Sequence, residues 1–187
     1  MKILIELPSW LGDALMATPA IENLANFYNN SQITLIGSYS AIQVISSHPK
    51  VIKTHIFSPN YSNFFTLIKD LNEFDVFLSF RSSLRARVLK LCVSANNKYQ
   101  YDKNKYYGTH QVEKYNSFVN DSIGNNNSAG KLLLHNMISN KDTNHKLLGL
   151  NPGASYGSSK RWYPEEFAKV AIELSIDYNI IIFGGPN

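Results

Sequence analysis

The chain of 187 residues is 44% hydrophobic and 17% charged, which is enough apolar sequence for one packed domain and part of another. Its net charge of +4 suits an anionic partner such as a phosphate, a nucleotide or an acidic membrane surface. One cysteine excludes a disulfide framework, and no apolar run approaches the ~20 residues of a membrane span. No signal peptide is recognisable, so we expect a cytoplasmic protein, with Cys92 in the core.

Strand and helix patterns alternate along the first part of the chain. The predicted strands are 3–7, 33–36, 51–57 and 75–80. The predicted helices run to about 28, to about 48, and over 64–71, 81–91 and 111–120. Strands joined by helices of this length predict parallel βαβ units in a doubly wound, Rossmann-like α/β sheet.

A second unit is predicted after an asparagine-rich linker at 122–144. It has a strand at 146–150, a helix at 164–176 and a strand at 180–183. The predicted domains are therefore 1–145, linker included, and 146–187. One βαβ unit cannot cover both faces of its own sheet, so we expect 146–187 to be an incomplete second domain.

The segment "PSWLGDALMATPAI" connects the first strand to its helix, at the edge of the sheet where open α/β folds bind ligands. It places Gly12 and the acidic Asp13 at that edge. Two local structures are open: Asp13 caps or complements a helix N-terminus, or the helix begins later, at Thr18 and Pro19, and leaves Asp13 in a loop.

The loop "NPGASYGSSKRW" at 151–162 combines two glycines, three serines and two adjacent cations. Backbone amides turned by the glycines, serine hydroxyls and positive charge together suit a phosphate or diphosphate. The alternative is a long connection with surface charges, and the pattern is neither a Walker A motif nor GxGxxG. Arg161 either shares the anion site or pairs with Glu165.

Two further basic regions are ambiguous. Lysines and tyrosines interleave over 98–115, which we interpret as a solvated surface segment rather than a nucleic-acid platform, because Asp102 and Glu113 interrupt the charge and no RNP pattern is present. Arg81, Arg85 and Arg87 follow the fourth predicted strand and either hold an anionic ligand or form a solvated helix face.

Three stretches together resemble one family. "PSWLGDALMATPAI", "HQVEKY" at 110–115 and above all "NPGASYGSSKRWYPEEFA" at 151–168 are similar to the ADP-heptose:lipopolysaccharide heptosyltransferases of glycosyltransferase family 9, with the closer likeness to the type II enzymes. The resemblance implies the GT-B architecture, in which a first Rossmann-like domain binds the acceptor and a second binds the nucleotide sugar. Family members are about twice as long, so the chain is expected to lack most of the second domain.

The resemblance implies a reaction: transfer of L-glycero-D-manno-heptose from ADP-heptose to a hydroxyl of a heptose in the lipopolysaccharide inner core, with inversion. It assigns Asp13 as the general base, and Gly12 is expected to leave the approach to that carboxylate open. Inversion by a single displacement needs one such carboxylate on the acceptor side. Heptosyltransferase I or another family 9 activity, and a nucleotide-binding module without catalysis, remain alternatives.

On the donor side, the resemblance aligns Lys160 with a lysine that contacts the diphosphate and Ser155 with a hydroxyl near it. We expect Gly157, Ser159 and Arg161 to complete that site, and Arg81 and Arg85 to bind the acceptor. No cofactor or required metal is predicted beside the substrate ADP-heptose, because cations in the loop can neutralise the leaving diphosphate. His110 matches the family pattern without a derivable role.

The expected partners follow from the same resemblance. They are ADP-heptose, the inner-core acceptor and the anionic inner membrane surface, contacted peripherally from the cytoplasmic face, with no nucleic acid. Residues 1–187 alone are expected to catalyse no transfer and to self-associate, because one wall of the cleft is a fragment. A dinucleotide-dependent oxidoreductase is disfavoured, since GxGxxG does not follow the first strand.

Overall fold

The computed structural model describes residues 1–57, 62–135, 146–154 and 157–184, with only the backbone described at 62, 63 and 65. The chain divides into two compact units, Met1–Met137 and Ile138–Asn187. The predicted boundary after 145 ends a stretch, 136–145, that lies outside the described residues. Each unit is taken by itself below.

The first unit is a five-stranded parallel sheet with helices on both faces. Its strands, in the spatial order β3-β2-β1-β4-β5, are β1 (Lys2–Glu6), β2 (Gln32–Gly37), β3 (Val51–Ile56), β4 (Phe74–Ser79) and β5 (Ala95–Gln100). Its helices are α1 (Leu11–Met16), α2 (Thr18–Phe27), α3 (Tyr39–Ile45), α4 (Ser62–Asp70), α5 (Leu84–Cys92) and α6 (Gln111–Ile123). The predicted doubly wound α/β class is confirmed.

Alternate residues of the central strands face two separate cores. Ile3 and Ile5 of β1 join the core under α1, α2, α3 and α6, whereas Leu4 joins the core under α4 and α5. Because β1 is covered on both faces, it reads as a continuous apolar run rather than an alternating one. The connections that contain α1, α2, α3 and α6 therefore cross one face of the sheet, and those that contain α4 and α5 cross the other.

The connection after β1 contains two helices rather than one. α1 ends at Met16 and α2 begins at Thr18, with Pro19 in its first turn. Proline has no N–H and its ring crowds the carbonyl four residues earlier, so a continuous helix through Pro19 is unfavourable. The predicted single helix to about residue 28 is therefore wrong. Asp13 lies in the first turn of α1, not in a loop.

The sequence interpretation of 98–115 is wrong in two respects. Residues 95–100 form the edge strand β5, and Tyr101 and Tyr115 are core residues, 6% and 4% exposed. β5 has polar side chains, as edge strands often have, and therefore lacks an apolar alternation. Residues 102–105 and 107–110 do fit the predicted surface segment, because they are exposed, with Tyr107 80% exposed.

Cys92 is exposed at the end of α5, so its predicted place in the core is wrong. α5 buries Ala86 and Leu89 against the sheet, and Val93 follows as the next buried residue. Cys92 falls between these positions on the outer side of the helix. Its apolar neighbours in the sequence were a misleading guide, because Leu91 is itself 79% exposed.

The second unit is a βαβ unit. It consists of β6 (Leu147–Leu150), a 3₁₀ turn (Ser158–Lys160), α7 (Pro164–Leu174) and β7 (Asn179–Ile182), with β6 and β7 parallel. None of its described residues is buried. Within the described parts of both units, no helix is long and apolar enough to cross a membrane.

Candidate functional site

The strand order creates a crevice at the carboxyl ends of β1 and β4. These strands are neighbours, but the connection after β1 enters the helices of one face and the connection after β4 enters α5 on the other. Such a switch point is where open α/β sheets bind ligands. A cavity of about 350 Å³ lies here, and its lining includes Trp10, Asp13, Arg81, Lys103, Lys114 and Tyr115.

Asp13 lies half-buried in the wall of this cavity. The first turn of α1 holds the Asp13 backbone, and the backbone N–H of Ala17 donates to the Asp13 carbonyl oxygen at 3.0 Å. No side-chain cap bond forms at this helix start, and no described residue hydrogen-bonds the Asp13 carboxylate. The carboxylate therefore has lone pairs available to a molecule in the cavity.

Tyr115 lines the same cavity as Asp13, close enough to interact with its charge. Burial chiefly raises the pKa of the Tyr115 hydroxyl, and the Asp13 carboxylate raises that pKa further. The tyrosine packs edge-on against Tyr101, with ring centroids 5.1 Å apart. The weak "HQVEKY" motif thus contributes a neutral hydroxyl close to the predicted base.

His110 of the same motif has a structural function. Its Nδ1 accepts a hydrogen bond from the backbone N–H of Val112 at 3.4 Å, so His110 is the N-cap of α6. Capping satisfies an N–H that the helix leaves unpaired. The helix that carries Lys114 and Tyr115 to the cavity therefore begins at a defined residue.

A buried carboxylate, Glu6, lies beside the cavity at the end of β1. Glu6 is 0% exposed, its Oε2 accepts the Ser79 hydroxyl at 2.6 Å, and its Oε1 has no hydrogen-bond partner. The nearest cation is Arg81, whose Nη1 lies 3.6 Å from Oε1. Glu6 therefore positions the Arg81 guanidinium over the crevice from within the core.

Glu6→Gln should make the protein more stable at neutral pH than the wild type. Burial raises the pKa of Glu6, against the Ser79 hydrogen bond and the Arg81 and Arg85 charges. Because the folded state then holds this proton more tightly than the unfolded state, the stabilisation is present below the ordinary Glu pKa and is lost as pH rises. The gain for Glu6→Gln should thus be larger near about pH 8 than near about pH 5.

Urea unfolding of both proteins at the two pH values measures this gain. The Gln side chain still accepts the Ser79 hydroxyl, so the variant is matched in shape. Glu73→Gln is the control, because Glu73 is an exposed carboxylate next to the start of β4. A pH-independent difference between Glu6→Gln and wild type would show that Glu6 is not held in an unfavourable ionised state.

The three arginines after β4 diverge. Arg81 lines the Asp13 cavity, and its carbonyl oxygen accepts from Gln100 Nε2 at 3.1 Å, which fixes the loop. The Arg85 guanidinium lies over the Phe57 ring, 3.8 Å from its centroid, and Arg87 lines a neighbouring groove. The structure thus brings Arg81 to Asp13 but not Arg85, so the two predicted acceptor residues do not share one cavity.

Trp10, Lys103 and Lys114 line the cavity but were not predicted as site residues. Trp10 is 75% exposed next to Asp13, a placement that suits stacking on a sugar ring, and Lys103 and Lys114 add positive charge. Trp10 was within reach of the sequence, because it lies in the same motif as Asp13. Lys103 was not, since it follows β5, whose position at the sheet edge was not predicted. Lys114 lies in the quoted "HQVEKY" motif, but its place at the cavity depends on the packing of α6.

The predicted donor loop in the second unit is partly described. Gly157 has a φ of +77°, a conformation that favours glycine, and it precedes the 3₁₀ turn that carries Ser159 and Lys160. Lys160 is exposed, and its ammonium contacts no described residue. Ser155 lies outside the described residues. The loop therefore presents the Lys160 ammonium beside a glycine turn.

Arg161 serves the loop backbone. Its Nε and Nη2 donate to the Ala154 carbonyl oxygen at 3.0 and 2.7 Å. The predicted alternative, a salt bridge to Glu165, does not form among the described residues, where α7 instead pairs Glu166 with Lys169 at 2.7 Å. Arg161 thus binds the backbone of its own loop, whereas the Lys160 ammonium has no hydrogen bond or ion pair with a described residue.

A second cluster of titratable groups, within the first unit, connects the segment after α6 to α2 and to the segment after α3. The Glu22 Oε1 lies 2.6 Å from His135 Nε2 and 3.3 Å from His48 Nε2. The backbone N–H of Lys50 donates to His48 Nδ1 at 3.1 Å, so a neutral His48 carries its proton on Nε2 and donates to Glu22. Burial lowers the pKa of His48. The cluster therefore ties residue 135 to α2.

The doubly wound sheet, with a charged cavity at its switch point, defines a Rossmann-like α/β protein. No protein-family model matches the sequence. The chain is 36% identical, over 192 residues and 98% of its length, to "Lipooligosaccharide heptosyltransferase 2" of Campylobacter jejuni subsp. jejuni serotype O:2. It spans 60% of the length of that relative. The predicted resemblance to the heptosyltransferases is confirmed.

Solved structures agree in fold. E. coli heptosyltransferase WaaC with ADP-2-deoxy-2-fluoro heptose has a TM-score of 0.82 at 16% identity, over 100% of this chain and 70% of that one. E. coli ADP-heptose lps heptosyltransferase II has a TM-score of 0.76 at 19% identity, over 99% of this chain and 65% of that one. The predicted fold class, that of the GT-B glycosyltransferases, is thus confirmed.

Proposed function

We propose that the protein of which this chain forms part is an inverting glycosyltransferase that moves L-glycero-D-manno-heptose from ADP-heptose to a heptose of the lipopolysaccharide inner core. The observation that carries the proposal is the 36% identity to a heptosyltransferase over nearly the whole chain. The half-buried, unpaired Asp13 carboxylate in the switch-point cavity supports it, because the reaction needs a base on the acceptor side.

In this reaction Asp13 accepts the proton of the acceptor hydroxyl. The hydroxyl oxygen forms its bond to the anomeric carbon while the bond from that carbon to ADP breaks on the opposite face, which inverts the centre. Trp10 and Arg81 lie in the same cavity, where they can orient the sugar and its anionic substituents. Burial of Tyr115 keeps a neutral hydroxyl beside the base.

On the donor side, Lys160 neutralises charge on the departing diphosphate. Its exposed ammonium and the Gly157 turn support this assignment. Because fixed cations stabilise charge that develops in the transition state, this arrangement can serve without a metal ion. Ser155, Ser159 and Arg161 stay predicted as the remaining parts of the site.

A chimera tests the proposal: residues 1–187 replace the matching region of the Campylobacter jejuni relative. We expect it to transfer heptose from ADP-heptose to an inner-core acceptor that already carries a heptose, as a type II enzyme. Transfer only to an acceptor without heptose would indicate a type I enzyme instead. A folded chimera that binds ADP but transfers nothing, while the relative is active, would contradict a catalytic role for residues 1–187.

Gly12→Ala tests the open approach to Asp13. A Cβ at Gly12 meets no atom within 4 Å and the backbone φ there is not positive, so the fold should tolerate it. We expect unchanged or slightly higher stability, by up to about 1 kcal/mol, because alanine favours helix. Gly12 precedes Asp13 but does not itself line the cavity. On the proposal that the acceptor reaches Asp13 past Gly12, transfer by the chimera should fall about tenfold or more, because the methyl group displaces the acceptor.

Urea unfolding and the transfer assay separate these two effects. Full activity of Gly12→Ala would show that the acceptor does not pass beside α1. Loss of both stability and activity would instead assign Gly12 a structural role.

The proposed acceptor is attached to a lipid, so the proposed place of action is the cytoplasmic face of the inner membrane.

Self-association of residues 1–187 is also proposed, because the described part of the second unit buries no residue. Its side chains Ile172, Ile182 and Phe183 are 72%, 66% and 56% exposed. Light scattering of the purified chain tests it, and a strict monomer at high concentration would contradict it.

A further inference from the structure

The outer face of α5 is apolar. Leu84, Val88 and Leu91 are 75%, 48% and 79% exposed, and their spacing puts them on one side of the helix. Ala86 and Leu89 bury the opposite side. A surface helix ordinarily presents polar residues outward. We call these three residues the apolar stripe. A partner that removed them from water would be bound favourably through the hydrophobic effect.

Cations border the apolar stripe. Arg87 and Lys90 lie on α5, Lys98 on β5 donates to the Leu91 carbonyl oxygen at 3.5 Å, and Lys103 lines a groove of about 250 Å³ together with Arg87 and Lys90. We call these four residues the basic flank. Asp102 is the acidic residue that lines this groove, and α5 contains no Asp or Glu. The surface thus combines an apolar centre with an excess of positive charge.

The charges of the basic flank are available. Among the described residues, Arg87, Lys90 and Lys103 form no ion pair or side-chain hydrogen bond. Lys105, slightly further away, differs, because it pairs with Asp121 at 2.7 Å. An anionic partner would therefore meet unpaired cations without first breaking an existing salt bridge.

We propose that the apolar stripe and the basic flank bind the surface of a bilayer that contains anionic lipids. The stripe would enter the boundary of headgroups and acyl chains while the flank contacts lipid phosphates, as for interfacial amphipathic helices. A second copy of the chain fits less well, because a symmetric contact through this surface would bring the two basic flanks together.

The position of this surface agrees with the proposed function. Its groove and the Asp13 cavity share Ser82, Tyr101 and Lys103, so the two are adjacent. A lipid-attached acceptor held at the bilayer would lie next to the cavity that contains the predicted base. The proposal extends the proposed function, but lipid binding is measured without any transfer reaction, so either can fail alone.

Sedimentation with vesicles tests the proposal on residues 1–187. The wild type should bind vesicles of phosphatidylcholine and phosphatidylglycerol in equal parts and bind phosphatidylcholine alone much less. Leu84→Gln/Val88→Gln/Leu91→Gln and, separately, Arg87→Gln/Lys90→Gln should each weaken binding about tenfold or more. Glutamine suits a helix and every changed side chain lies away from the core, so circular dichroism should stay unchanged.

The control is Ile52→Gln, which removes a similarly exposed apolar side chain from β3, in a groove where Asp70 and Glu73 balance the charges of Lys2 and Lys53. It should bind vesicles like the wild type. Equal binding by wild type and the α5 variants would overturn the proposal, as would no binding to anionic vesicles. Loss of self-association, rather than vesicle binding, in the apolar-stripe variant would assign the surface to a second copy and equally overturn it.

Discussion

Asp13→Asn in the chimera should lower the rate of heptose transfer by about 10² to 10⁴, the range for a positioned general base. Asparagine keeps the shape of the side chain but cannot accept the acceptor proton. Since no described residue hydrogen-bonds the carboxylate, the exchange breaks no contact of α1. Stability and ADP binding should therefore stay close to those of the wild type.

Transfer kinetics at saturating ADP-heptose, with ADP binding measured in parallel, check this result. Glu113→Gln is the matched control, because Glu113 is also an acidic residue in a first helical turn but is exposed at the start of α6. It should keep nearly full activity. If Asp13→Asn were as active as the control, Asp13 would complement the helix N-terminus and another group would take the proton.

Most of the fold was predictable because its signals are local. The strands β1, β2 and β4 are largely apolar runs bounded by turns, and the helices follow with their own period. β5 escaped prediction because its polar side chains pair only through the backbone with β4. The break at Pro19 was visible in the sequence, but whether a helix also preceded it depended on packing against α3 and α6.

The candidate site was predictable only in part. Asp13 and Arg81 were found because each follows a strand. The sequence pattern does not show that β1 and β4 are neighbours, because hydrophobic periodicity carries no information about strand order. The same limit hid Lys103, which follows the edge strand β5. The sequence also contained an unused signal for Glu6. A charged residue that ends an otherwise apolar, buried strand needs a hydrogen-bond donor or an opposite charge beside it, and here Ser79 and Arg81 supply them.

Lys160→Ala should weaken ADP binding by about 10- to 100-fold, the effect of losing charge-assisted hydrogen bonds to a diphosphate. The ammonium contacts no described residue, so its removal costs the loop no interaction, whereas Arg161 holds the Ala154 carbonyl oxygen and would disturb the backbone if changed. AMP binding should fall less, because AMP lacks the second phosphate that the lysine is proposed to contact.

Calorimetric titration of ADP and AMP into the chimera measures both affinities. Lys169→Ala is the control: it removes the same charge from α7, where Lys169 pairs with Glu166 at 2.7 Å, and should leave both affinities nearly unchanged. Raising the salt concentration should weaken ADP binding by the wild type more than by Lys160→Ala, since screening acts on the charge that the variant lacks. Equal losses for ADP and AMP would place Lys160 away from the diphosphate and direct attention to Ser159 or to donors later in the second unit.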